Sequence, residues 1–548
     1  MKKFSKSFAI FFLFLALSAI AWAMTSRFKN LDTIVTQIGF RNFRDAKSSH
    51  IIKIAVLDNG FKNYAAEVGK NLPANTVYHP GPIPVEPASE EAHGLYMAEL
   101  VSALLATTPA ISYELHLYSS FGYSNLESAV NDVISKNFDL VLYAQVWEYG
   151  GNGDGRGFIN TLINKALKSG VIWINAAGNF ATSTYRTKVT TNDDAWVRLP
   201  SPNDTVKLRC EANQVGYCPL RAVLSWNDFS DDVDAGSDKD LDLILTDDTL
   251  KIVGSSALQQ MKQIPEGSVG ASLYPREIIS QQVPPGQYFL RIKDRSRNFD
   301  KRRDQLRITV SGDNIKFLNT TAGETLLAPA DNPGVLTVGA FDSTRSSSSQ
   351  QRKKPELVSP SLLTLEDGAQ YLGSSNAAAI TTAAAVIVKA LNPKATRNDV
   401  LKALAGEVMS TVATTGQGLP LETLGFQSNQ AQCFRAVSLP AEAPAALHEF
   451  MGKAKHAAAI AVATSKGIKI FTQPDPFPLV GVYRVSADDM LVAGPNGFEA
   501  LPRSNQDYLP RGFFEVVQVP LSQVICSAQT TNPTTGVVGR RLRLSRSR

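Results

Sequence analysis

IAVLDNG, Ile54 to Gly60, is the stretch that decides the fold. It closes an apolar run, Ile51 to Leu57, that reads as a buried strand of a parallel sheet, because a strand covered on both faces needs apolar residues throughout. The run ends on a carboxylate, Asp58, followed by a turn-forming Asn-Gly. A second apolar run, Val171 to Ala177, leads into NAAGN, which ends at Asn179. Between the two lies EAHG, where His93 opens a segment with Met97, Leu100, Val101, Leu104 and Leu105 at helical spacing. Far downstream, GSSNAAA places Ser375 just before an Ala-rich stretch, Asn376 to Leu391, that reads as a buried helix. Open α/β sheets gather reacting groups at strand C-terminal ends and helix N-termini. The expectation is that Asp58, His93, Asn179 and Ser375 meet on one rim.

Each residue alone has an ordinary reading. Asp-Asn-Gly is a common turn, and Ser is a favoured helix cap. Together, an acid, an imidazole, a carboxamide and a hydroxyl make up the groups that acyl transfer by a serine nucleophile requires.

The chain order Asp58, His93, Ser375, with Asn179 between the last two, resembles the subtilisin-like serine proteases, the subtilases. The resemblance runs from about Ile51 to Leu404. It extends to GNGDGRG at Gly151 to Gly157, NPGVLTVGAFD around Val338 and KKPELVSP ahead of the serine. It implies a subtilisin-like α/β fold in which Ser375 attacks the scissile carbonyl, His93 shuttles its proton and Asp58 orients the imidazole. Asn179 and the backbone N–H of Ser375 would hold the oxyanion. Gly94 and Gly373 sit where close backbone approach calls for a residue without a Cβ. The chain departs from the family pattern in having Asn59 after the acid, Ser374 before the nucleophile and Ala379 where a proline is usual. The family's substrate-cradling Ser-x-Gly falls near VLYAQVWEYGG, Val141 to Gly151, with no evident equivalents.

Lys2, Lys3 and Lys6, the apolar stretch Phe8 to Ile20 and Ala21-Trp22-Ala23 fit a signal peptide over 1–23, so a secreted or periplasmic protein is expected. No later run is long and apolar enough to span a bilayer, so no transmembrane anchor is expected after cleavage. The four cysteines suggest Cys210 with Cys218 and Cys433 with Cys526, two bridges that an oxidising compartment would favour. The net charge of +5 on 548 residues is modest and scattered, which argues against nucleic acid as a partner. Protein or peptide substrates are the expected partners, and oligomeric state is left open.

This length suggests about three to four units. The chain is expected to divide into a signal peptide 1–23, a short N-terminal segment 24–50, a catalytic part 51–184, an insert 185–319, a second catalytic part 320–425 and a C-terminal module 426–548. The segment 24–50 is too short for the propeptide domain usual in exported subtilases. The insert carries short strand-like runs, Thr205 to Cys210, Ala222 to Trp226, Leu241 to Leu245, Gly286 to Ile292 and Leu306 to Val310, which read as an antiparallel β-sandwich. Leu224 to Leu245 and Pro284 to Asp294 resemble the pre-peptidase β-sandwich of secreted bacterial proteases. Asp228, Asp231, Asp232, Asp234, Asp238, Asp240 and Asp242 form either a solvated acidic turn or a structural Ca²⁺ site, and the chemistry itself requires no cofactor. The C-terminal module reads as small α+β, helical over Ala441 to Ala463, with strands at Ile468 to Phe471 and Phe513 to Val519. The reading that follows is an exported serine endopeptidase. Its alternatives are a catalytically silent subtilase fold or an adhesin-like protein that works by binding.

Overall fold

The computed structural model describes residues 27–83 and 92–405 apart from 213 and 267, and backbone strands between 427 and 526. The expected signal peptide 1–23 and Cys433, the expected partner of Cys526, lie outside the described residues.

The central sheet has seven parallel strands, in the order Val77–His79, Tyr113–Ser119, Ile52–Asp58, Leu140–Tyr143, Ile172–Ala176, Leu336–Ala340, Leu357–Ser359, with Gln427–Ser428 added antiparallel at the last edge. Alternate side chains point to opposite faces, so each central strand feeds two cores. Ile52, Ile54 and Val56 join Leu140, Leu142, Ile172 and Ile174 beneath the helices His93–Leu105 and Ser374–Leu391. Ala55, Leu57, Val141, Tyr143 and Trp173 pack on the other face against Tyr123–Ser135 and Phe158–Lys168. This double coverage is why the strands read as continuous apolar runs. The Ala-rich helix Ser374–Leu391 lies against the helix that begins at His93 and against several strands, its alanines fully buried.

From Ile52–Asp58 the chain moves to one side of that strand and later returns to its other side at Leu140–Tyr143. The reversal leaves a crevice at the carboxyl end of the central strand, where Asp58 stands.

The segment 24–50 is more than a lead-in. From Phe28 onward it places Phe28, Ile34, Val35, Ile38, Phe40 and Phe43 in the core beneath the His93 helix. At about 1.5–3 kcal/mol for each large apolar side chain buried, this is a substantial share of the core. Lys29 donates its N–H to the carbonyl of Thr364 at 2.7 Å, and Arg27 pairs with Glu99 at 3.1 Å and with Glu67 at 3.0 Å.

Between Thr184 and Phe317 the chain forms two stacked antiparallel sheets. One holds Ile252–Ser256, Leu241–Thr246, Gly286–Asp294, Val206–Cys210 and Ile315–Phe317 in that order; the other holds Arg276–Val283, Cys218–Trp226, Gln305–Ser311 and Thr184–Lys188. Leu208, Leu220, Leu224, Leu243, Leu290, Ile292 and Ile308 fill the space between them. Cys210 and Cys218 form a disulfide across a separation of 8 residues. The entry and exit of this unit lie side by side, the Thr321 N–H donating to the Thr184 carbonyl at 2.9 Å.

In the C-terminal region Ala459–Thr464, Gly467–Thr472, Met490–Gly494, Gly497–Leu501 and Phe514–Val519 form one antiparallel sheet. Ala459 to Ala463, expected as the end of a helix, is therefore a strand: pairing on both sides overrides the helix propensity of alanine. The remainder of Ala441 to Ala463 lies outside the described residues.

Candidate active site

Asp58 is fully buried at the end of its strand. Its Oδ1 accepts the backbone N–H groups of Asn59 at 2.8 Å and Gly60 at 3.2 Å, and the side-chain amide of Gln145 at 3.2 Å. Its Oδ2 accepts from Nδ1 of His93 at 2.8 Å. With Nδ1 carrying the proton toward the carboxylate, Nε2 is left as the basic nitrogen. His93 is the first residue of its helix, and its side chain is 38% exposed, so the ring spans from a dry carboxylate to open solvent.

Gly94 makes this pairing possible. A Cβ there would lie 2.5 Å from Cβ of Asp58 and 2.8 Å from the ring of Phe61. The helix start is thus seated directly on the end of the acid strand.

Ser375 lies within the first turn of its helix; the cap position belongs to Gly373, so Ser375 is no helix cap. Its hydroxyl donates to the Ala144 carbonyl at 3.1 Å. The helix start is fixed from below: Gly373 N–H donates to Ser361 Oγ at 3.2 Å, Asn376 donates to the Ser361 carbonyl at 2.6 Å, and Ser361 Oγ donates to Asp342 at 2.6 Å. Ala379 continues the helix fully buried.

Asn179 lies beside that turn. Its Oδ1 accepts from the backbone N–H of Ser374 at 3.0 Å and from the Ser374 hydroxyl at 3.2 Å. The same hydroxyl accepts from the N–H of Gly178 at 3.0 Å. With the carbonyl end of Asn179 occupied, the amide Nδ2 is the end left to donate. That Nδ2 would be 2.9 Å from a Cβ at Gly373, so the glycine is required for close approach.

The contributors not apparent from sequence lie between Ala144 and Gly157. Ala144 and Gln145 touch Ser375 and Asp58. Glu148 reaches into the sandwich, pairing with Arg221 at 3.0 Å, accepting from Thr309 Oγ1 at 2.6 Å and offering its carbonyl to buried Arg307 at 3.1 Å. Asn152 exchanges hydrogen bonds with the backbone of Phe229, both at 2.9 Å. The only sequence signal for this role was the position of the stretch directly after the Leu140–Tyr143 strand.

Three of the seven aspartates in the acidic run of the insert pair with a cation. Asp228 pairs with Lys239, Asp238 with Lys262 and Asp242 with Arg295, while Asp231 accepts from the N–H of Gly157 at 2.8 Å. Among the described residues no group of three or more His, Cys, Asp or Glu side chains is placed to hold a metal ion.

A parallel sheet of this topology, flanked by helices and with an acid–imidazole pair and a helix-borne serine at its head, is consistent with a subtilisin-like α/β fold. Residues 268–426 match the Subtilase family, a span that takes in the last strands of the sandwich and the segment around Ser375. The chain is similar to the CspB protease of Clostridium perfringens, with 14% identity over 68% of this chain and 93% of that one, TM-score 0.41. It is similar to the psychrophilic subtilisin-like protease Apa1 of Pseudoalteromonas sp. AS-11, with 10% identity over 72% and 96%, TM-score 0.27. The pre-peptidase C-terminal domain of a Bacillus anthracis collagenase is similar over 24% of this chain and 89% of its own, at 12% identity and TM-score 0.13. No curated protein matches the chain.

Proposed function

We propose that the protein is an exported serine endopeptidase, secreted or periplasmic, that hydrolyses peptide bonds through Asp58, His93 and Ser375. The observation that carries this reading is the buried Asp58 carboxylate bonded to His93 at 2.8 Å, at the rim where the helix of Ser375 also begins. Nε2 of His93 takes the Ser375 proton as Oγ adds to the scissile carbonyl, and returns it to the leaving amine as the tetrahedral adduct collapses to an acyl-enzyme. Water then repeats the sequence with the same base. Nδ2 of Asn179 and the backbone N–H of Ser375 donate to the oxyanion in both halves. Activity rises with pH as His93 loses its proton and becomes able to accept that of Ser375.

The test is labelling of the purified protein by a fluorophosphonate, which bonds covalently to an activated serine. Labelling lost in both Ser375→Ala and His93→Ala supports the reading. A well-folded wild type that does not label refutes it.

A further inference from the structure

The geometry points to Gln145 as a positioning residue for the acid–imidazole pair, tuning the basicity of His93 through Asp58. The inference rests on the serine-peptidase reading above. Asp58 has no exposed surface, so protein groups take the place of water around its carboxylate. Two of the donors to Oδ1, the N–H groups of Asn59 and Gly60, belong to the same turn as the acid and come with any such turn. The third, Nε2 of Gln145 at 3.2 Å, comes from 87 residues away, off the neighbouring parallel strand.

The placement of Gln145 is itself held. Its carbonyl accepts from Nδ2 of Asn175 at 3.0 Å, and Oδ1 of Asn175 accepts from the indole N–H of Trp173 at 3.0 Å. The preceding carbonyl, that of Ala144, accepts from Ser375 Oγ. One dipeptide therefore contacts the acid through a side chain and the nucleophile through its backbone, and its other edge is tied to the strand that leads to Asn179.

The consequence has a sign. A donor on Oδ1 draws negative charge away from the carboxylate and weakens its hold on the imidazolium form of His93. Removing it leaves a more basic carboxylate, which keeps His93 protonated to higher pH. It also leaves Oδ1 held only by the two N–H groups of its own turn, which loosens the orientation of the carboxylate toward Nδ1.

The experiment measures fluorophosphonate labelling rates from pH 5 to 9 for the full-length wild type, Gln145→Met and Gln145→Ala, with thermal unfolding of each. Met keeps the length of a half-buried side chain without the donor, so it decides the matter if Ala loosens the fold. The expected result is an acid limb displaced upward by about half a pH unit in both variants, with a lower alkaline plateau. A labelling wild type whose acid limb stays put in Gln145→Met, whatever happens to the plateau or the melting temperature, overturns the inference alone. A folded wild type that does not label removes the serine-peptidase reading and this inference with it.

Discussion

Gly94→Ala tests the seating of the His93 helix by adding a single methyl group. The new Cβ would stand 2.5 Å from Cβ of Asp58 and 2.8 Å from two ring atoms of Phe61. Carbon atoms rest about 3.5–4.0 Å apart, so the start of the helix must retreat by roughly an ångström. The Nδ1···Oδ2 contact, now 2.8 Å, then opens beyond hydrogen-bonding range. A displacement of that size in a catalytic group costs about 100-fold in rate. Overpacking costs about 1–3 kcal/mol. The better helix propensity of alanine returns at most about 1 kcal/mol. The expected outcome is a fluorophosphonate labelling rate reduced about 100-fold with a modest drop in melting temperature. A variant that labels and melts like the wild type would refute the close-packing argument, because the methyl group would then have found room.

Under the proposed mechanism Asn179→Ala should lower turnover of a peptide substrate about 10²–10³-fold with little change in KM, because there its amide donates to the oxyanion rather than to bound substrate; an unchanged kcat would remove Asn179 from that role. Burial raises the Glu99 carboxyl to about 7, with Arg27 opposing, against 4.5 in the unfolded chain. The folded state therefore holds that proton longer, and stability from this group, full below about pH 4.5, is lost as pH rises through about 7. Glu99→Gln should remove that slope in unfolding curves taken from pH 4.5 to 8, and parallel curves for the two proteins would contradict it. Replacing Cys210 and Cys218 by serine should cost about 2–3 kcal/mol in denaturant unfolding, as expected for a short closed loop. Reductant should reproduce that loss in the wild type, and a protein indifferent to both would show that the bridge does not limit unfolding.

The elements legible in the sequence are those whose burial leaves a regular apolar pattern. Ile51 to Leu57 and Val171 to Ala177 announce themselves because both faces of each strand are covered, and Met97 to Leu105 because one helix face meets that sheet. The sandwich strands were readable from their alternation, clearest in Gly286–Asp294. Residues that act across long chain separations were not legible. Gln145 meets Asp58 only because the chain, after laying strands on one side of Ile52–Asp58, crosses over to place a parallel strand on its other side, and no local pattern encodes that. The core residues Phe28, Ile34 and Phe40 of the short N-terminal segment carry no clear sequence signal, because a seven-residue helix, Leu31–Gln37, is too short to show an apolar stripe. Ala459 to Ala463 misled for the opposite reason, since local propensity favoured helix while strand neighbours decided otherwise.

The side-by-side ends of the sandwich, Thr184 and Thr321, also set an order of assembly. The chain emerges from its N-terminus, and the whole sandwich, with a core of its own, is made before Leu336–Ala340, Leu357–Ser359 and the helix of Ser375 exist. Asp58 and His93 then wait on an unfinished sheet while a neighbouring body takes shape beside them. Ser375 arrives last, onto a surface already buttressed through Glu148 and Asn152. A nascent chain therefore holds Asp58 and His93 without Ser375 beside them until the sandwich and the strands that follow it have been made, a delay built into the order of synthesis.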